Sequence, residues 1–258
     1  MKREPGKKYI ASLSYGKDSL AMLEAIHRLG YPLDEIVHTE IWATDDIPAE
    51  FPEMIDFKEH ADKIIKERYG LDVTRICAMK DGDKWTFEKH FYTKKKKGKY
   101  KDIYGFPTLK GSWCIDLKVN PLGKKTSDVQ YIGIAVDETN RINRKQVENK
   151  VLPLVDIGWT EEDCMNWCKE NDLVSPIYQN ATRGGCWFCG KQPIPQLRLL
   201  RKNYPDLWKL LLDWDHDSPT KFEPHGHTVH DLDKRFAAED ARLVPTDRRF
   251  RWKMLDEL

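Results

Sequence analysis

Directly between an apolar run, Tyr9-Ile10-Ala11-Ser12-Leu13, and a helix-like run that begins at Leu20, the chain reads Ser14-Tyr15-Gly16-Lys17-Asp18-Ser19. A short strand that stops at small polar residues and turns straight into a helix leaves backbone N–H groups open. The helix adds the positive end of its dipole, so the turn forms an anion cradle. Gly16 lets the backbone approach a ligand, Lys17 adds a mobile positive charge, and Ser14 and Ser19 supply hydroxyl donors. Asp18 repels a phosphate unless a divalent cation lies between them, which points to a magnesium-bridged nucleotide. A second glycine-and-lysine pattern, Gly185 to Lys191, is followed by Gln192, where a phosphate loop of the Walker kind requires Ser or Thr.

The segments downstream repeat the strand-then-helix alternation. Leu20, Leu23, Ile26 and Leu29 recur at helical spacing until Gly30. Residues 35–43 read as a second strand, 50–69 as an amphipathic helix closed by Gly70, 72–78 as a third strand and 129–136 as a fourth. Such alternation predicts a doubly wound, mostly parallel α/β sheet, which binds ligands at the carboxyl ends of its strands. Residues 81–111 lose periodicity and mix aromatics with lysines, including Lys94 to Lys97. A stretch of that length reads as a substrate-facing insertion, or as a solvated loop. Thr160 opens a capped helix to residue 171, with an extended piece at 174–178 after it, and 195–213 is helical apart from Pro205. The expected division is a nucleotide-binding domain over 1–158 and a cysteine-containing helical extension over 159–258.

The 258 residues suffice for a full core. Charged residues make up 33% and mean hydropathy is −0.68, no apolar stretch approaches the ~20 residues of a membrane span, and the first residues hold no hydrophobic signal core. The expectation is a cytoplasmic protein with no membrane partner. Net charge is +1 and neither favours nor excludes nucleic acid. Six cysteines in such a chain are metal ligands, redox groups or small buried residues rather than a disulfide framework. Cys186-Trp187-Phe188-Cys189 is a glycine-flanked pair able to share one metal, but a lone pair is half a site. Cys114, Cys164, Cys168 and Cys77 are the other candidates, with Cys77 in an apolar strand read as core. His225, His227 and His230 have no defensible ligand spacing.

Taken together, three segments resemble a known family. Ser14 to Ser19 is similar to the SxGxDS loop of the PP-loop ATP pyrophosphatases, whose members cleave ATP between the α- and β-phosphates and thereby adenylate a substrate. Trp113-Cys114 with Leu117-Lys118 and Pro121-Leu122, followed about 70 residues later by Cys-x-x-Cys, resembles the phosphoadenylyl-sulfate (PAPS) reductase branch. Gly133 to Arg141 is similar to that branch's GxRxxES segment, which faces nucleotide and substrate. The resemblance spans residues 8–192 and implies an adenine nucleotide alpha hydrolase-like fold. It implies a nucleotide site of Ser12, Ser14, Tyr15, Gly16, Lys17, Asp18, Ser19, Asp45 and Gly133, with Mg2+ held by Asp18 and Asp45 or Asp46. It makes Lys17, Asp18, Glu138 and Arg141 the catalytic group; the plain reading of Glu138 and Arg141 is a strand-end ion pair.

The departures matter as much. Tyr15 stands where the loop usually has Gly, and is expected to narrow the room beside the phosphates. Trp113 takes the first place of a Cys-Cys pair, so Cys114, Cys186 and Cys189 match three cluster ligands, with Cys168 as the candidate fourth. Ala135 replaces an Arg suited to sulfate or phosphate. The reductases' late nucleophilic Cys has no counterpart after Cys189. The expected activity is therefore adenylation of an acceptor by ATP, followed by sulfur transfer aided by a cysteine-held iron-sulfur cluster of the 4Fe-4S type, with zinc as the alternative. The tRNA-thiolating enzymes and the sulfur-insertion subunits of DNA phosphorothioation systems are the relatives this implies. The expected partners are a nucleotide, a nucleic-acid acceptor reached through the basic insertion, and a sulfur donor or thioredoxin-like protein. Two other readings remain open: a sulfonucleotide reductase using an external thiol, and a zinc-stabilised nucleic-acid-binding protein.

Overall fold

The computed structural model describes residues 1–97, 101–107, 115–122, 128–144, 150–179, 185–222 and 226–258. Two compact units are formed: Met1–Trp85 with Cys114–Gly184, and Thr86–Trp113 with Gly185–Leu258.

The first unit is built on strands β1 (Tyr9–Leu13), β2 (Glu35–Glu40), β3 (Val73–Cys77) and, after a long excursion of the chain, a short strand at Val129–Tyr131. All pair in parallel, in the order β3-β2-β1 and then Val129–Tyr131. A parallel sheet with flanking helices is what the alternation implied. Helices α1 (Lys17–Arg28) and α2 (Glu53–Tyr69) connect the first three strands. The hairpin strands β4 (Met79–Lys80) and β5 (Asp83–Lys84) follow. Val129–Tyr131 is β6. It is shorter than the 129–136 run, and Val151 adds an isolated parallel bridge beside Tyr131.

Register puts Ala11, Leu13, Ile36 and Tyr131 on one face. With Tyr9 they form a single buried cluster with Leu20, Met22 and Leu23 of α1 and Met54, Phe57, Ala61 and Ile65 of α2. Leu154, from the helix Pro153–Ile157, and Cys164, Trp167 and Cys168, from Glu161–Glu170, complete it. The opposite face carries Ile10, Ser12, Val37 and Ile76, which with Leu122 line a cavity of about 150 Å3. Among the described residues that face is covered by the short turns Ile115–Val119 and Asn120–Leu122 rather than by long helices.

In the second unit, helix α3 (Phe87–Phe91) buries Phe87 and Phe91 with Phe106, Trp187, Phe188 and Trp214 in an aromatic core. The Trp187 and Trp214 rings are stacked at 5.6 Å. Three further helices, Ile194–Asn203, Pro205–Asp217 and Val229–Asp240, complete the unit, the break between the first two falling at Tyr204-Pro205. Phe87, Phe91 and Phe106 of the segment read as an insertion are therefore core here, and the backbone is tied in beside them: Gly105 N–H donates to Phe91 O, and Phe106 N–H to Ser218 Oγ.

Numbered on in chain order, the remaining helices are α4 (Thr139–Ile142), α5 (Pro153–Ile157), α6 (Glu161–Glu170), α7 (Ile194–Asn203), α8 (Pro205–Asp217) and α9 (Val229–Asp240). The expected capping box opens α6: Thr160 Oγ1 accepts from Asp163 N–H, and Thr160 N–H donates to Asp163 Oδ2. Residues 174–178, read as extended, instead run into a 3-10 turn at Pro176–Gln179.

Candidate functional site

Strand order fixes where a ligand fits. From β1 the chain winds one way to β2 and β3, then returns to place β6 on the other side of β1. The carboxyl ends of β1 and β6 flank this reversal, the place where open α/β sheets take their ligands. The Ser14–Ser19 turn leaves β1 at this point, and the Gly133–Arg141 segment leaves β6.

Close approach holds the two segments together. A Cβ on Gly133 would lie 2.6 Å from Asp18 O, 2.8 Å from Asp18 C and 2.9 Å from Ser19 Cα. Only glycine permits this backbone-on-backbone contact, which also explains why β6 stops at Tyr131. Ser19 ties the turn internally, since Ser14 N–H donates to its Oγ at 3.1 Å and its own hydroxyl donates to Gly16 O at 3.0 Å. Gly16 is the N-cap of α1 with no side-chain cap. Lys17 N–H donates to Tyr178 Oη at 3.1 Å, whereas the N–H groups of Tyr15, Gly16 and Asp18 have no partner among the described residues. Open amides at the positive end of a 12-residue helix make an anion cradle. Tyr178, which no sequence pattern marked, forms one wall: its Oη lies 3.3 Å from where a Gly16 Cβ would be.

Tyr15 corrects one expectation. It has φ +54°, left-handed for a non-glycine residue, and its ring is fully buried. The ring therefore takes no room beside a ligand. It points into the core, edge-on to His38 at 4.8 Å, and its hydroxyl donates to Asp62 Oδ1 at 2.5 Å. A left-handed non-glycine residue costs about 1–2 kcal/mol, and a hydrogen bond to a carboxylate returns about 1.5–3 kcal/mol. The two are comparable, so this bond is what makes the strained turn tolerable.

The charged residues are latched. Lys17 Nζ lies 2.7 Å from Asp18 Oδ1 and 2.8 Å from Glu161 Oε1, with the lysine side chain 12% exposed. Burial alone would lower the Lys17 pKa, but the Asp18 and Glu161 hydrogen bonds outweigh it and the pKa is raised. Burial raises the Asp18 carboxyl despite Lys17, with the charges of Glu138 and Glu161 adding to the rise. Glu138 Oε2 accepts from Ala135 N–H at 3.1 Å, and its Oε1 pairs with Arg141 at 2.5 Å. Asp137 accepts from Glu161 N–H at the start of α6, so the segment after β6 and α6 share the enclosure of Lys17. Ser12 points to the cavity on the opposite sheet face, and Asp45 lies on the exposed loop after β2, where its carbonyl accepts from Lys84.

The cysteines fall into different settings. Cys164 and Cys168 are fully buried. Burial pushes both thiols up, Cys168 to about 12, and Cys168 Sγ–H donates to Lys17 O at 3.6 Å. Cys168 therefore lies directly under the cradle helix. Cys77, read as core, is half-exposed. Cys186 and Cys189 are half-exposed in the second unit, in a turn closed by Cys189 N–H to Cys186 O at 3.0 Å. The two residues between them, Trp187 and Phe188, are buried and anchor that turn. This pair fits two thiolate positions of a cluster or zinc site. Cys114 lies outside the described residues, and among those described no group of three or more His, Cys, Asp and Glu side chains is arranged to hold a metal.

Fold and geometry together define an anion cradle at the carboxyl edge of a parallel α/β sheet. No protein-family model matches the sequence, and no curated protein matches it. Among solved structures the chain is similar to the U34-tRNA thiolase NcsA from Methanococcus maripaludis with its [4Fe-4S] cluster, at 15% identity over 89% of this chain and 81% of that one. The TM-score is 0.40. Among the described residues no helix is long and apolar enough to cross a membrane.

Proposed function

We propose that the first unit is a PP-loop nucleotide-binding unit that takes ATP and cleaves it between the α- and β-phosphates, adenylating an acceptor for sulfur transfer. The observation that carries this reading is the cradle itself. Three open amides lie at the start of α1, at the sheet's reversal point, against a Gly133 segment where only glycine fits. In this reading the amides of Tyr15, Gly16 and Asp18 and the Ser14 hydroxyl bind the phosphates. Lys17, released from Glu161 or Asp18, follows the charge that develops on leaving pyrophosphate. Asp18, with Asp45 or Asp46, holds the magnesium, and Glu138 and Arg141 orient nucleotide or acceptor.

Cys186 and Cys189 would supply two thiolates of an iron-sulfur cluster; the assignment of Cys114, and of Cys168 as the candidate fourth ligand, rests on the resemblance alone. Bound there, such a cluster would supply redox or sulfur-handling chemistry. The acceptor suits a nucleic acid: residues 86–113 carry eight lysines against Glu88 and Asp102, a local excess that attracts phosphate backbones. The protein, purified anaerobically and assayed with labelled ATP in one tube and PAPS in another, tests this. Pyrophosphate release supports the proposal and sulfite release supports a sulfonucleotide reductase. Neither product refutes both, and zinc in place of iron and acid-labile sulfide removes the cluster.

A further inference from the structure

We propose that Asp62, on α2 and remote in sequence from the cradle, is a positioning residue for phosphate binding. It accepts the Tyr15 hydroxyl and thereby holds the left-handed backbone that leaves the Tyr15 and Gly16 amides open. This rests on the nucleotide reading above and adds the device that keeps the loop in its binding shape.

The attachment is continuous. Tyr15 is fully buried and reaches Asp62 Oδ1 at 2.5 Å, while Asp62 Oδ2 lies 2.6 Å from Arg75 Nη2 on β3. Arg75 faces Glu40 at 3.6 Å, Glu40 faces Lys58 at 3.5 Å, and Lys58, only 5% exposed, pairs with Glu50 at 2.7 Å. Glu50 approaches His38 Nε2 at 3.9 Å, and the other ring nitrogen of His38 bonds Leu13 O, the last residue of β1, at 3.0 Å. The His38 ring then meets the Tyr15 ring edge-on, closing a circuit. The turn is therefore held from beneath at two points, Leu13 and Tyr15, by residues of β2, β3 and α2. A tyrosine in the left-handed region has no intrinsic preference for it, so without the Asp62 acceptor the backbone relaxes and its amides turn away.

The test measures dissociation constants for inorganic pyrophosphate, magnesium-ATP and adenosine by calorimetry on the full chain, with melting temperatures alongside. Tyr15→Phe and Asp62→Ala are each expected to weaken pyrophosphate about 10-fold, one charged hydrogen bond's worth. The double variant should be no weaker than either single, because both remove the same bond. Asp62→Asn keeps an acceptor and should stay within about 3-fold of the parent by the same measure. Adenosine, which carries no phosphate, should bind all variants alike. Parent-like pyrophosphate affinity in Tyr15→Phe, additive losses in the double variant, or equal weakening of adenosine overturns the positioning role alone. A parent that binds neither ATP nor pyrophosphate overturns the nucleotide reading with it.

Discussion

Gly133→Ala is the sharpest perturbation of the cradle because its effect is set by backbone rather than by adaptable side chains. The new methyl would meet Asp18 O at 2.6 Å, Asp18 C at 2.8 Å and Ser19 Cα at 2.9 Å, whereas ordinary contact begins near 3.4 Å. Relieving the worst contact requires about 0.8 Å of movement between the β6 exit and the first turn of α1, and no rotamer change can supply it. Overpacking of this kind costs about 1–3 kcal/mol, and in a chain this size each kcal/mol lowers Tm by roughly 2–4 °C. A misplacement approaching 1 Å at a reacting group also costs on the order of 100-fold in rate. Thermal unfolding followed by circular dichroism and a pyrophosphate-release assay on the same preparation measure both. A variant that melts with the parent and releases pyrophosphate at the parental rate would refute the claim that Gly133 fixes the cradle.

Other substitutions probe the surrounding contacts. Glu161→Gln removes one of the two carboxylates that latch Lys17, and is expected to raise the apparent affinity for pyrophosphate several-fold, of the order of one exposed ion pair; calorimetry checks the sign. Burial lowers the His38 pKa below its ordinary value, so below about pH 6.5 the unfolded chain binds a proton that the folded chain refuses, and stability falls as pH falls, by up to about 1.4 kcal/mol per pH unit. His38→Asn should flatten urea-midpoint curves between pH 6.5 and 5.5. Cys164 and Cys168, buried with raised thiol pKa values, should resist iodoacetamide in the folded, metal-free protein while the half-exposed Cys186 and Cys189 react, as peptide mass mapping would report. Trp187→Ala, which empties a fully buried site between the paired cysteines, should cost about 3–5 kcal/mol in denaturant unfolding.

The local pattern was legible wherever one segment carried its own signal. Gly70 at φ +72° closes α2 and the Thr160 box opens α6, as the residue types imply, because these ends are decided by neighbours within four positions. The cradle was legible for the same reason. The contacts that shape it were not: Asp62 lies 47 residues from Tyr15 and Tyr178 lies 161 from Lys17, separations that leave no periodic trace. The core role of Phe87 and Phe91 left no trace in the segment's own pattern because their ring partners, Phe188 and Trp214, lie after residue 185. The strand expected over 129–136 stops early because Gly133 gives up pairing to approach α1. Tyr15, by type alone, suggested obstruction; its left-handed backbone sends the ring the other way.

The strand order also carries a kinetic consequence. β1 lies close to β2 along the chain and finds it promptly, yet its other neighbour begins at Val129, after the chain has contributed residues 86–113 to the second unit. Loop closure over such a distance is slow to nucleate. A nascent or refolding chain should therefore acquire helical signal and a partial sheet well before it can hold an anion, because the cradle is incomplete until Gly133 docks on α1. Competence to bind marks the end of folding rather than its beginning.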